Sequence, residues 1–425
     1  MLNLEKLNLD GCEDLTTIPD SIGKLSNLKT ISFARCPDLT ALPTSFGDLI
    51  SLETLVFDVG TLQRIPRSIG NLTNLKILHA YGRCSCEPIN EDNNLNSLAK
   101  LANLSDLETL EISLQDFVRL KENSFSSFRK LKRLILRWSV EENFEIATPT
   151  ILPTLPSLEI LEVNEFYDDT DDTGLTPPPF QSDWLSLLPQ LRVFLIDSAN
   201  YEEDVIRPLI SLSGLRNLKK LEKLRVSRCE LDTITESSTV NIPNTGFESL
   251  REFTIVDCSG QINFLEFNLQ SLEDFDLDIS IDKLKVGIYT NQSEENGNGE
   301  GCFHLDNLGH CPNLKRFTLY HKFDSNPNHL ATRISVQSLA LFPSIQEVLF
   351  TNCNFEFVDT PLSLPQPVVA QKEQQHEQIM SIPSLKTIYF DHCSGLFQSN
   401  IDLFRTSKFD LPSLEAFSYQ RDSEF

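Results

Sequence analysis

The chain has 425 residues, long for one compact core but natural for a stack of repeats, and 40% of it is hydrophobic, as in an ordered chain. Asp and Glu total 61 against 36 Lys and Arg, a formal net charge of -25 that repels nucleic-acid phosphate and anionic membranes and argues against both as main partners. No apolar leader opens the chain and no stretch approaches ~18 apolar residues, so the expectation is a cytoplasmic protein without membrane insertion.

The first element is the phrase Leu4-x-x-Leu7-x-Leu9-x-x-Cys12, repeated 24 residues later as Leu28-x-x-Ile31-x-Phe33-x-x-Cys36. Its later apolar positions alternate with polar ones, the period of a strand buried on one face. The phrase returns with first positions Leu52, Leu75, Leu107, Leu131, Leu158, Leu191, Leu221, Leu250, Leu272, Leu314, Ile345, Leu385 and Leu414. One such strand cannot bury its apolar face alone, whereas stacked copies form a parallel sheet closed behind by the return segments. The pattern is that of a leucine-rich repeat. The predicted fold is therefore an α/β horseshoe solenoid with a concave parallel sheet of about fifteen short strands and helical or 3-10 convex returns.

The returns repeat too: Ile18 to Leu25, Leu42 to Leu49 and Ile65 to Leu72. Proline fixes the backbone at each entry, Ile22, Phe46 and Ile69 supply the apolar contact, and Gly23, Gly47 and Gly70 are expected to allow the turn that follows. Six of the ten cysteines (Cys12, Cys36, Cys229, Cys258, Cys353 and Cys393) share one repeat position, which predicts buried, reduced thiols rather than a disulfide framework. Asn71, Asn103 and Asn291 head glycosylation sequons, which carry no weight without secretion.

Leu15, Ile18, Pro19, Ser21, Ile22, Gly23 and Leu25, with the Gly11-Cys12 pair after the strand, carry a specific resemblance. Over about residues 1 to 83 the chain resembles the leucine-rich repeats of plant intracellular nucleotide-binding immune receptors, the resistance proteins. The resemblance implies recognition in plant defense: sensing of a ligand or pathogen effector, or autoinhibition of other domains of a larger receptor. The ATPase module of those receptors needs a G-x-x-x-x-G-K-[ST] loop, and none occurs here. A repeat beginning almost at Met1 and another ending near Phe425, neither with a recognisable cap, lead us to expect part of a larger protein or a shortened relative. The other reading is a constitutive scaffold in intracellular signalling with no immune role.

One domain is expected over residues 1–425, regular over 1–83 and irregular over 84–425, with loop insertions near 167–184, 291–301 and 360–378. Residues between and beside the buried leucines point to the concave face. Most rows read as plain polar surface. The fourth to eighth rows differ: Ile77, His79, Tyr81; Thr109, Glu111, Ser113; Arg133, Ile135, Arg137; Ile160, Glu162, Asn164; Val193, Leu195, Asp197, with Trp138 and Phe166 following two of the strands. Arginine and aromatic residues near apolar ones are the composition of interface hot spots, so Tyr81, His79, Glu111, Arg133, Ile135, Arg137, Trp138, Glu162, Phe166 and Leu195 are candidate partner-binding residues. Cover of this face by an irregular flanking segment is the alternative. The eleventh row, Asp274, Asp276 and Asp278, reads either as solvated polarity or as a docking point for a basic surface.

Catalytic and metal motifs fail on inspection. Asp172-Thr173-Gly174 spells an aspartic-protease triplet but sits in a proline-rich acidic loop. A calcium loop from Asp169 would need a bidentate acid at Phe180, which leaves only weak calcium binding by the acidic cluster open. Cys302, His304, His310 and Cys311 do not have a standard zinc spacing, and His376-Glu377 lacks the second histidine of a zinc-protease helix. The expectation is a protein without enzyme activity, cofactor or metal, whose partners are proteins.

Overall fold

The computed structural model describes residues 3–39, 41–58, 66–81, 101, 103–114, 117, 128–138, 155–165, 185, 187–198, 208–215, 217–232, 246–264, 267–279, 284–286, 308, 310–321, 336–351, 353, 380–391, 393 and 409–420. The predicted insertions 167–184, 291–301 and 360–378 lie outside them. Two compact units form, Met1–Ile210 and Ser211–Phe425.

In the first unit eight strands run parallel in chain order: Lys6–Asn8, Thr30–Phe33, Thr54–Asp58, Ile77–Tyr81, Thr109–Ser113, Arg133–Trp138, Ile160–Glu165 and Val193–Asp197. In the second the order is Lys223–Ser227, Glu252–Val256, Asp274–Ile279, Arg316–His321, Glu347–Thr351, Thr387–Asp391 and Ala416–Gln420. Every one of these fifteen strands begins two residues after the first position of a repeat phrase, so the leucine pattern placed each of them. Burial alternates as a one-sided strand requires: in Val193–Asp197 and Glu252–Val256 the second and fourth residues are buried and their neighbours half-buried.

Two side-chain ladders just before the strands hold the register. The residue after the first leucine alternates in charge along the chain: Glu5, Lys29, Glu53, Lys76, Glu108, Lys132, Glu159, Arg192 in the first unit, and Glu222, Arg251, Glu273, Lys315 in the second. Parallel pairing brings opposite charges side by side, with Lys29 at 3.1 Å from Glu5, Lys76 at 3.0 Å from Glu53, Lys132 at 3.1 Å from Glu108 and Lys315 at 2.6 Å from Glu273. Just before the phrase a second ladder runs. Asn74 and Ser157 in the first unit, and Ser249, Ser271, Asn313 and Ser384 in the second, each donate a side-chain hydrogen bond to a backbone carbonyl of the preceding repeat. These bonds satisfy turn carbonyls that the sheet leaves unpaired.

The described returns are mainly 3-10 turns. Asp20–Lys24, Thr44–Asp48 and Arg67–Asn71 each follow a proline whose φ lies between -70 and -66, and bury Ile22, Phe46 and Ile69. The glycines act differently from the expectation. Gly23 and Gly47 do not adopt positive φ; a Cβ on them would stand 2.5 Å from the Ser45 carbonyl and 2.3 Å from that of Ser68, so glycine is required because the next return packs against it. The left-handed residue is instead the one before the ladder cysteine: Gly11 (φ 72), Arg35 (φ 57), Arg228 (φ 54) and Asp257 (φ 46).

Five of the six aligned cysteines are buried, and the seven described cysteines are free thiols. Three of them close the turn in the same way: Cys36 donates to the carbonyls of Leu9 and Ala34, Cys258 to those of Val226 and Val256, and Cys353 to those of Leu319 and Thr351. Cys12 is exposed, against the expectation; its strand, Lys6–Asn8, stands at the edge of the described sheet. In the core of the second unit a phenylalanine file runs from Phe253 through Phe275, Phe317, Phe350 and Phe390 to Phe417, with successive centroids 5.5 to 6.2 Å apart.

Candidate functional site

Parallel register turns the middle residue of each strand into a column on the outward face. In the first unit it reads His79, Glu111, Ile135, Glu162 and Leu195 across strands four to eight, all direct neighbours in the ladder. The flanking positions add Arg133 and Arg137, two residues to either side of Ile135. Five residues that the sequence marked singly are thereby brought into one row, and two arginines beside it.

The row is organised around carboxylates. Arg137 Nε donates to Glu111 Oε1 at 2.7 Å, and His79 Nδ1 makes a short contact to the other oxygen of the same carboxylate. Arg133 donates to Glu162 at 2.7 Å. Glu111 is only 1% exposed. Burial pushes its pKa up, but the hydrogen bonds from His79 and Arg137 and the charge of Arg137 pull harder in the other direction, so it lies below the ordinary carboxylate value. Glu111 is thus an ion held by two donors from neighbouring strands.

Burial also corrects part of the expected contact surface. Ile135, expected to face a partner, is 5% exposed, and Glu111 with it offers no surface of its own. Glu111 instead fixes His79 and Arg137, while Arg133, Arg137, Glu162 and Leu195 keep partial exposure. Tyr81 and Trp138 end their strands, and their side chains, like Phe166 altogether, lie outside the described residues.

In the second unit the acidic row is not three bare carboxylates. Arg316, paired with Asp274 in register, donates to both of its oxygens at 2.7 and 2.5 Å. That bidentate contact neutralises Asp274; Asp276, at the centre of the strand, is exposed, whereas Asp278, expected to face a partner, is half-buried with its Oδ1 buried. Two further outward aromatics are exposed: Tyr320 on the neighbouring strand, and Tyr389 two strands beyond that one, in a row expected to be plain polar surface. Their signal was an aromatic at an outward position of the repeat.

The catalytic and metal motifs rejected from sequence fall mostly outside the described residues, namely Asp169 to Phe180, Cys302, His304 and His376. Cys311 is buried and donates to the Leu308 carbonyl; burial pushes its thiol up to about 12, so it is no ready nucleophile. Among the described residues no cluster of three or more His, Cys, Asp or Glu is placed to hold a metal ion, and no helix is long and apolar enough to cross a membrane.

The structure of a leucine-rich-repeat protein of Leptospira interrogans is similar, with 16% identity, a TM-score of 0.52, and coverage of 96% of this chain and 90% of that one. An internalin of Listeria monocytogenes matches with 15% identity, a TM-score of 0.46, and coverage of 84% and 82%. A plant peptide hormone receptor in complex with its ligand matches with 14% identity, a TM-score of 0.27, and coverage of 99% and 81%. No curated protein matches the chain. The family model described as leucine-rich repeat region matches residues 1–334, and with the phrase-by-phrase placement of the strands it shows that the chain belongs to the leucine-rich repeat family.

Proposed function

We propose that this chain is a non-catalytic module that recognises proteins through the outward face of its ladder strands. The observation that carries the reading is the row from His79 to Leu195, where a buried carboxylate orients a histidine and an arginine beside partly exposed apolar positions. Preorganised arginine next to apolar surface is a hot-spot arrangement, because the side chain loses little further freedom on binding. Five strands span on the order of 20 Å, enough for a protein epitope.

The resemblance of residues 1 to 83 to plant resistance proteins supports the finer reading. The chain then senses a ligand or pathogen effector, or restrains other domains of a larger receptor, in the cytoplasm. A net charge of -25 argues against nucleic acid as the partner.

Capture and cross-linking from plant tissue, with the full chain and its variants as bait, tests this. Leu195→Glu and Arg133→Ala should each leave the thermal midpoint within a few degrees and reduce the captured partner about tenfold or more, the loss expected at a hot spot. Lys24→Glu, on a return segment, should change nothing. Equal capture by all three variants would sink the reading.

A further inference from the structure

The second unit carries an outward patch of a different chemistry. Among the described residues only five large hydrophobic side chains are exposed, and two of them are Tyr320 (38%) and Tyr389 (40%). Both lie on the outward face of the ladder, within three consecutive strands. Leu349 joins them: it is the register neighbour of Tyr389, and Tyr320 faces Thr351, the next outward residue on the strand of Leu349. Two phenol rings and an aliphatic side chain thus form one diagonal across Arg316–His321, Glu347–Thr351 and Thr387–Asp391.

Carboxylates flank the diagonal at both ends. Asp278 is the register neighbour of Tyr320, Asp276 stands one outward position before it, and Asp391 occupies the same strand as Tyr389, two residues on. Arg316, on the strand of Tyr320, is engaged by both oxygens of Asp274. The patch is therefore apolar and aromatic in the middle, acidic at its rims, and about four strands or roughly 15 Å wide.

Tyrosine is the side chain best suited to such a place. It presents a large rigid face at low entropic cost, and its ring attracts a cation placed over it. Carboxylates beside the ring reinforce that attraction and repel an acidic partner. We propose that this face docks a basic protein segment in which arginine or lysine alternates with aliphatic residues, the cations meeting Asp276 and Asp391 and the aliphatic side chains meeting Tyr320, Leu349 and Tyr389. The proposal rests on the recognition reading above and names the partner chemistry for the second unit.

The test uses the full chain and three fluorescein-labelled peptides of equal length: alternating arginine and leucine, alternating arginine and glycine, and alternating glutamate and leucine. Anisotropy is read at ~0.15 M salt, where contacts longer than the ~8 Å screening length are damped. The arginine–leucine peptide should bind tightest. Tyr320→Ala/Tyr389→Ala and Asp276→Asn/Asp391→Asn should each weaken it about tenfold or more, and Tyr320→Phe/Tyr389→Phe should retain binding. Asp14→Asn/Asp38→Asn, which removes two exposed charges from the first unit, should stay within about twofold, since exposed charges away from an interface act only through a screened field.

Equal loss in that last variant, or equal binding of the arginine–glycine peptide, would overturn the assignment by showing mere attraction to an acidic chain. Binding unaffected by the tyrosine pair, or no preference for arginine over glutamate, would overturn it as well. So would a dimer that dissociates on Tyr320→Ala/Tyr389→Ala while no peptide binds, because the occupant would then be a second copy. None of these results touches the recognition reading as long as Leu195→Glu still loses its captured partner.

Discussion

The Glu111 side chain sits where removal of a neighbour is more costly than removal of the group itself. Its carboxylate is buried and held by Arg137 at 2.7 Å and by His79. Arg137→Ala strands a buried ion with one donor left, so it should destabilise the first unit by about 3 kcal/mol, the lower end for breaking a buried pair because His79 remains. Glu111→Gln leaves no buried charge and should cost less, and Arg137→Ala/Glu111→Gln should recover much of the loss. Chemical denaturation of the three variants checks the order; a double variant as unstable as the sum of the singles would refute the coupling. A pH profile adds a second reading. The folded pKa of Glu111 is depressed below its unfolded value, so its contribution is complete above about pH 4.3 and is lost as pH falls through the lower folded value. Glu111→Gln should flatten the acid limb of the stability curve in that window.

At the level of the repeat, the alternating charges before each strand do for register what the leucines do for burial. A leucine-only code tolerates a slip that pairs any strand with any other, whereas a Glu–Lys–Glu order penalises pairing of like with like. Lys132, 3.1 Å from Glu108 and next in line to Glu159, tests this. Lys132→Ala should cost only a few tenths of a kcal/mol, as exposed pairs do, whereas Lys132→Glu sets three carboxylates side by side and should cost about 1 kcal/mol more. The difference should shrink at high salt because screening weakens exposed charges. Identical midpoints for the two variants at low salt would remove the ladder from the account.

For the molecule as a whole, burial sets where opening begins. The inward residues Leu7 and Leu9 of the first strand and Phe417 of the last are half-buried, while those of interior strands, such as Leu55, Phe57 and Phe350, are fully buried. A ladder strand gains cover from a neighbour on each side, and a stack of repeats opens from its least covered members. Hydrogen exchange should show the fastest strand amides in Lys6–Asn8 and Ala416–Gln420 and the slowest in the interior. Protection at Leu7 and Phe417 equal to that at Leu55 would show that both end strands are sealed.

The leucine phrase by itself determined the fold and the start of all fifteen ladder strands, because burial on one face in a recurring phrase leaves stacked parallel strands as the economical solution. It also determined which side chains face outward, since alternation is a property of the strand alone. The alternating charges and the outward tyrosines were present in the same rows but become meaningful only with pairing partners. Tertiary structure decided the rest. Whether an outward residue is surface depends on what its neighbours cover: Ile135 and Glu111 are buried, whereas Tyr320 and Tyr389 are not. Whether a carboxylate is bare depends on the next strand, which supplies Arg316 to Asp274 and Arg137 to Glu111. And Gly47 is required by the carbonyl of Ser68, a contact between successive returns, from residues 21 apart in the chain, that no local rule could place.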